Sequence, residues 1–266
     1  MVQRDESTFD GLRNLLSRLR GPGGCPWDKE QTHKSLRSSL LEECYEVLEA
    51  VDRSDVVGLV EELGDIMLQL AYHCQIAEEN GEFTYEDVCR RINEKLVRRH
   101  PHVFGDQEAK TARQAEMNWE AIKEKERAGR STLLGGLPTS MPALATSQAI
   151  SHRAARAGFE WDNVAGVLGK ISEELGELER AMTQQEREHE VGDVLFSLVN
   201  LARWHGIDAE SALRVANTRF RGRFNYMEAS CLEHGVAFTT IPMDEKQALW
   251  EAAKKRQCCQ GGCETE

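Results

Sequence analysis

Two acidic phrases recur in this chain. Glu42, Glu43 and Glu46 precede Glu61, Glu62 and Asp65 by a polar interval, and Glu173, Glu174 and Glu177 stand in the same way before Glu190 and Asp193. Side chains three apart on a helix are neighbours, so Glu43 with Glu46, Glu62 with Asp65, and their counterparts each present a pair of carboxylates. Such pairs admit two readings. They are the solvated face of an amphipathic helix, opposite the apolar stripe Leu41, Cys44, Leu48 and Val51, or they are oxygen ligands for a hard divalent cation. The apolar segment after each second pair favours the cation. IMLQLAYHC continues from Asp65 and VLFSLVNLA from Asp193, and helices apolar on nearly every side are expected to be buried on nearly every side. Ionised carboxylates at the entrance of such a helix repel one another and lose hydration unless something pairs them. The sequence therefore predicts one all-carboxylate metal site per repeat. Glu43, Glu46, Glu62 and Asp65 form the first and Glu174, Glu177, Glu190 and Asp193 the second, suited to Mg2+ or Mn2+. Gly64 and Gly192, each just ahead of its Asp, predict a close helix–helix approach, because glycine otherwise costs a helix interior about 1 kcal/mol.

A second set of residues could complement the acids. Lys95 and Arg99 recur as Arg219 and Arg223, four apart and so on one helix face, where they can hold phosphate charge. The plain alternative is a surface cation or a partner for nearby acids. Trp119 with Lys123 recurs as Trp250 with Lys254. An aromatic plane beside a cation suits a base and a phosphate; packing on its own domain is the other fate of a Trp. Magnesium held by few protein ligands leaves positions for phosphate oxygens and water.

Helices must position these groups. Apolar residues repeat at helical spacing, as in Leu41, Cys44, Leu48, Val51 and in Ile171, Leu175, Leu178, Met182, while strand signals are sparse. Turn residues gather at RGPGGCPWD, ENGEF, RRHPHVFGD and GGLPTSMPAL. The expectation is an all-α protein of two duplicated helical bundles. Five landmarks, Trp27–Asp28, the two acidic pairs, the Lys95/Arg99 segment and Trp119–Lys123, keep their order in the second half. The expected divisions are a first domain over residues 1–126, a linker over 127–147, a second domain over 148–257 and a flexible tail over 258–266.

The chain has 266 residues and a net charge of −12, which argues against general nucleic-acid binding, since phosphate backbones need a basic footprint. No apolar run is long enough to span a bilayer. Residues 1–11, MVQRDESTFDG, carry acids where a signal peptide carries basic and then apolar residues, so a cytoplasmic location is expected. The eight cysteines show no paired CxxC spacing and signal neither a disulfide framework nor a zinc site. Cys44, Cys74 and Cys89 fall in helical patterns and are expected as small core residues. The tail QCCQGGCETE is read as a frayed terminus, with soft-metal binding as the other possibility.

GCPWDKEQT (24–32), the doubled acidic pair and KLVRRHPHVFGD (95–106) closely resemble the MazG nucleoside triphosphate pyrophosphohydrolases. The resemblance runs over essentially the whole chain, including its duplicated layout. It implies an all-α enzyme that hydrolyses NTPs and dNTPs to monophosphate and pyrophosphate with Mg2+, working as a homodimer whose bundles take helices from both subunits. In two-domain members resembling this one, activity is credited to the second domain. Carried over, Glu174, Glu177, Glu190 and Asp193 are the magnesium ligands and Glu173 orients or deprotonates water. Lys170, Arg219, Arg223, Trp250 and Lys254 contact nucleotide. Two positions depart from the pattern: His189 stands where a further Glu is common, and Arg219 where Lys is common. In the first repeat the acids are complete, Glu61 is retained, and Lys95, Arg99 and Lys123 supply the matching cations; the resemblance implies a structural or regulatory site there. Two other classes remain open at this point. A di-iron carboxylate bundle needs two Glu-x-x-His motifs, and only Glu30–His33 offers one. A non-catalytic nucleotide sensor or interaction module would keep the carboxylates without turnover.

Overall fold

The computed structural model describes residues 7–127 and 132–260, and every regular element among them is helical. The chain divides into two compact units, Met1–Ala128 and Gly129–Glu266. The all-α, duplicated organisation expected from the sequence is the one observed.

In the first unit, α1 (Phe9–Arg20), α2 (Pro26–Glu30), α3 (Arg37–Asp52) and α4 (Val56–Asn80) are followed by α5 (Tyr85–Arg99), the short α6 (Pro101–Phe104) and α7 (Ala112–Arg127). Arg53, Ser54 and Asp55 turn α3 back on α4. Ser54 takes a left-handed φ of 55°, and the Asp55 side chain accepts the Gly58 N–H to cap α4. The hairpin is therefore antiparallel. α1 packs on α4, and Leu16, Leu36, Ala71, Tyr72 and Ile76 form the core with Phe9, Leu12 and Leu68 against them. The GCPWDKEQT segment is tied to this core by polar bonds. Arg20 donates to the carbonyls of Asp28 and Gln31 at 2.5 and 3.1 Å, and the buried Tyr72 hydroxyl donates to the Asp28 carboxylate. α4 ends at Gly81, whose φ of 69° fits the left-handed stop glycine favours.

The second unit repeats the plan. α8 (Ala143–Arg156) packs on α10 (Gln184–Trp204), which pairs with α9 (Val164–Arg180) across a tight turn. A reciprocal Thr183–Glu186 capping box starts α10. α11 (Ala209–Glu233) rests on α8 and α10 and then folds against α12 (Met243–Gln260). α8 begins inside the stretch read as a linker, and α12 runs three residues into the stretch read as a tail. The side chains of Cys258, Cys259 and Cys263 lie outside the described residues, as does the soft-metal reading of that tail.

The expected burial pattern is overturned on α3 and half met on α9, where Ile171 and Leu178 are covered. The stripe Leu41, Cys44, Leu48 and Val51 faces outward, with Leu41 55% and Val51 54% exposed, and Leu175 and Met182 are exposed as well. The covered face of α3 is instead Leu36, Leu40, Glu43, Val47 and Ala50, and that of α9 is Val167, Ile171, Glu174 and Leu178. α4 and α10 are likewise covered on one side only: Leu63, Met67 and Leu70, and Leu195, Phe196 and Leu198, are exposed. A helix apolar all round needs neighbours all round, and α4 packs on α1, α3 and α5 and α10 on α8, α9 and α11, which leaves a side of each uncovered by its own unit. Cys44 is exposed and Cys89 half-buried for the same reason; of the three cysteines expected in the core, only Cys74 is buried.

Candidate active site

The acids converge because of where they stand along an antiparallel hairpin. Glu43 and Asp65 are each eleven residues from Ser54 at the turn, and Glu46 and Glu62 each eight, so each pair comes to the same level. Carboxylate oxygens of Glu43, Glu62 and Asp65 lie within 4.8 Å of one another. Glu46 joins them through a hydrogen bond with Glu43. Desolvation, the bond to Glu46 and the charge of Asp65 push the Glu43 carboxyl above its ordinary range. Desolvation and the charges of Glu46, Glu61 and Asp65 do the same to Glu62.

In the second unit Glu174, Glu177 and Glu190 bring oxygens within 4.8 Å of one another, and Glu190 also belongs to a second such group with Asp193 and His189. Glu190 is the member common to both groups: Glu174 and Glu177 meet it in one, Asp193 and His189 in the other. Glu174 is only 5% exposed. Lys170 reaches it at 2.9 Å and Glu173 at 3.0 Å, and these two bonds raise the Lys170 pKa. Desolvation, a hydrogen bond with Glu174 and the charge of Glu190 raise the Glu177 carboxyl. His189 Nδ1 lies 3.0 Å from Asp193 and 3.7 Å from Glu190. The buried Oε2 of Glu190 has no hydrogen-bond partner.

The cations and aromatics of the second repeat gather on the α11–α12 hairpin. The Arg223 guanidinium lies 5.5 Å over the Trp250 ring, Phe220 packs 5.1 Å from the same ring, and Lys254 pairs with Glu251 at 2.7 Å. Arg219 is exposed. Beside them opens a cavity of about 480 Å³ walled by Phe220, Phe224, Phe238, Met243 and Trp250, with Lys246 and Gln247 at its edge. The sequence reading missed this cavity. Phe220 and Phe224, four apart, were a usable signal; Phe238 arrives only through the turn at Gly235, whose φ is 71°. In the first repeat Lys123 pairs with Glu120 at 2.9 Å and Arg99 lies 5.2 Å over Trp119.

Residues 31–104 and 164–227 match the MazG nucleotide pyrophosphohydrolase domain. The chain is 45% identical over 258 residues to the nucleoside triphosphate pyrophosphohydrolase/pyrophosphatase MazG of Thermotoga maritima, covering 97% of each protein. It is 40% identical over 257 residues to the nucleoside triphosphate pyrophosphohydrolase of Escherichia coli K12, covering 94% of this chain and 98% of that one. It is also 43% identical to YabN of Bacillus subtilis over 94% of this chain and 52% of that protein. The chain belongs to the MazG family. Both matched MazG segments contain a full acidic quartet; Trp250 and Lys254 lie beyond the second.

The MazG acids fit a divalent cation. The donors are carboxylates, two of those in the first unit and one in the second are held toward neutrality by crowding, and one buried oxygen lacks a partner. Neither acidic quartet includes Glu30 or His33. His33 Nδ1 is 2.7 Å from His73 Nδ1, so the di-iron motif is not assembled around them. The close approach expected at Gly64 and Gly192 is not observed: a Cβ at either would meet nothing within 4 Å. Both glycines lie on the uncovered side of their helices, so the edge of each acid group opens to free space. No helix among the described residues is long and apolar enough to cross a membrane.

Proposed function

We propose that this MazG protein hydrolyses NTPs and dNTPs to nucleoside monophosphate and pyrophosphate in its second unit. The observation that carries the reading is the meeting of Glu174, Glu177 and Glu190, with Asp193 grouped to the same Glu190 and a buried Glu190 oxygen left unbonded. These four residues would hold Mg2+, or Mn2+, which when bound supplies positive charge to the phosphate oxygens. Glu173, tethered beside Glu174 by Lys170, takes the proton of the attacking water. Attack falls on the α-phosphorus, and pyrophosphate leaves as Arg219, Arg223 and Lys254 hold its charge. Trp250 and its aromatic neighbours receive the base. Lys170 also neutralises the buried Glu174, so the acid group is tolerated before cation and substrate arrive.

The exposed apolar faces of both units support a homodimer. The outward stripes of α3, α4, α9 and α10 carry Leu41, Val51, Leu70, Leu175, Leu195 and Leu198 in the open, and a second copy of the chain covers them. The five described cysteines are free, which suits a reducing cytoplasm.

Product analysis on a panel of NTPs and dNTPs with Mg2+ tests the activity. Monophosphate plus pyrophosphate is expected; diphosphate plus phosphate would mean attack at the γ-phosphorus and would overturn the assignment.

A further inference from the structure

The cavity between α11 and α12 offers a base almost nothing polar. Phe220, Phe224, Met227, Phe238, Met243 and Trp250 line it with apolar and aromatic surface. Stacking on such walls is indifferent to the identity of the base, because every base has a π-face. At about 480 Å³ the space admits a purine as readily as a pyrimidine, so size does not discriminate either. Discrimination falls to the two polar residues of the lining, Lys246 and Gln247. They are not equivalent. A carboxamide donates through its nitrogen and accepts through its oxygen, so Gln247 meets either pattern by turning over. An ammonium donates and cannot accept. Lys246 is half-buried, and its Nζ lies 5.3 Å from the centre of the Phe238 ring, itself a wall of the cavity. Among the described residues the ammonium forms no ion pair, so its N–H groups are left for a ligand. Trp250 joins this cavity to the phosphate side, since Arg223 lies 5.5 Å over its ring.

We infer that Lys246 is the residue by which the second unit ranks its substrates, favouring bases with an exocyclic oxygen (guanine, uracil and thymine) over bases with an exocyclic amino group (adenine and cytosine). Guanine presents O6 and N7 as adjacent acceptors, and uracil and thymine present O4. At the matching ring positions adenine and cytosine carry amino groups, which point a donor at a donor. The ammonium–oxygen bond is charge-assisted. Facing an amino group, the ammonium must turn to water or, with adenine, to N7 alone. Lys246 is only half-buried, so water competes for it. The preference is therefore about fivefold to tenfold, well below the factors reached where a buried polar group is left wholly unpaired. The ranking follows the exocyclic group and not the ring size, so a purine and a pyrimidine with the same group fall on the same side. This inference rests on the assignment of the cavity to the base and goes beyond it by naming which bases it favours.

The test measures pyrophosphate release by the full-length protein with Mg2+ from GTP, ATP, UTP and CTP, comparing kcat/KM within the purine pair and within the pyrimidine pair. Wild type should favour GTP over ATP and UTP over CTP by about fivefold or more. Lys246→Met keeps an unbranched stem beside Phe238 and removes the ammonium, so both ratios should fall to about one. Lys246→Glu replaces donors by acceptors and should reverse both ratios. Wild-type ratios near one overturn the inference. So does a folded Lys246→Met that keeps the wild-type ratios, or one that loses all four substrates alike, the mark of a phosphate contact. Failure of the underlying reading would look different: no nucleotide would release pyrophosphate, or Trp250→Ala would leave the KM of all four unchanged.

Discussion

Replacing Glu174 by Gln separates a metal site from a structural ion pair. Glu174 is buried, lies within 4.8 Å of Glu190, and is bonded to Lys170 at 2.9 Å. At an effective dielectric of about 20, like charges at 4.8 Å repel by roughly 3.5 kcal/mol, and the Lys170 attraction is of comparable size and opposite sign. Neutralising Glu174 removes both, so the metal-free protein should change in stability by no more than about 2 kcal/mol. Cation binding has no such cancellation, because affinity in oxygen sites follows ligand charge count, and losing one carboxylate should weaken Mg2+ by about 100-fold or more. At a Mg2+ concentration near 100 times the wild-type Kd, binding stabilises wild type by about 2.7 kcal/mol and the variant by about 0.4 kcal/mol. At about 2–4 °C per kcal/mol, the Mg2+-induced rise in Tm should fall from roughly 5–10 °C to roughly 1 °C. Scanning calorimetry in EDTA and in Mg2+, with pyrophosphate release measured in parallel, makes the comparison. A variant that keeps the full Mg2+ shift refutes the reasoning. So does a variant whose metal-free form collapses, since that would make Glu174 a structural partner of Lys170.

Three further outcomes are expected. In the folded state Glu43, Glu62 and Glu177 have carboxyls raised from an ordinary value of 4.5. Their contribution to stability is full below that value and lost as pH rises through the raised values, so EDTA-treated protein should melt lower at pH 7.5 than at pH 5, and Mg2+ should narrow the gap; a metal-free Tm that climbs over that range contradicts the crowding argument. Leu195→Asp, on the exposed face of α10, should shift the protein to monomer in sedimentation with its helical circular dichroism intact, and an unchanged dimer would place the interface elsewhere. Tyr72→Phe removes the donor to the buried Asp28 carboxylate, whose pKa is held low chiefly by hydrogen bonds from Cys25 and Tyr72. A loss of about 1–3 kcal/mol in denaturant unfolding is expected, and a neutral result would show that Arg20 and Cys25 suffice to hold the loop.

The convergence of the acids was legible because two independent patterns agreed. Spacing by three put Glu43 with Glu46 and Glu174 with Glu177 on one face, and duplication repeated the arrangement. The equal distances of Glu43 and Asp65 from the turn would have predicted their meeting directly. What the sequence misassigned was the side they face. Periodicity identifies an apolar stripe on α3 but not the body that covers it, and the stripe of Leu41, Leu48 and Val51 is left open by its own unit. The acids sit on the covered face because that is where α4 brings its own acids. Gly64 and Gly192 misled for the same reason. A glycine reports that something must come close or that space must be kept, and here no side chain or neighbouring helix among the described residues comes within 4 Å of either added Cβ beyond the adjoining stretch of its own helix.

Glu126 shows a different limit. Read singly, a Glu near the end of an amphipathic helix is a solvated charge, and its partners Arg98 and Arg99 are surface cations. Only the structure brings Glu126, more than twenty-five residues away in sequence, onto both guanidiniums.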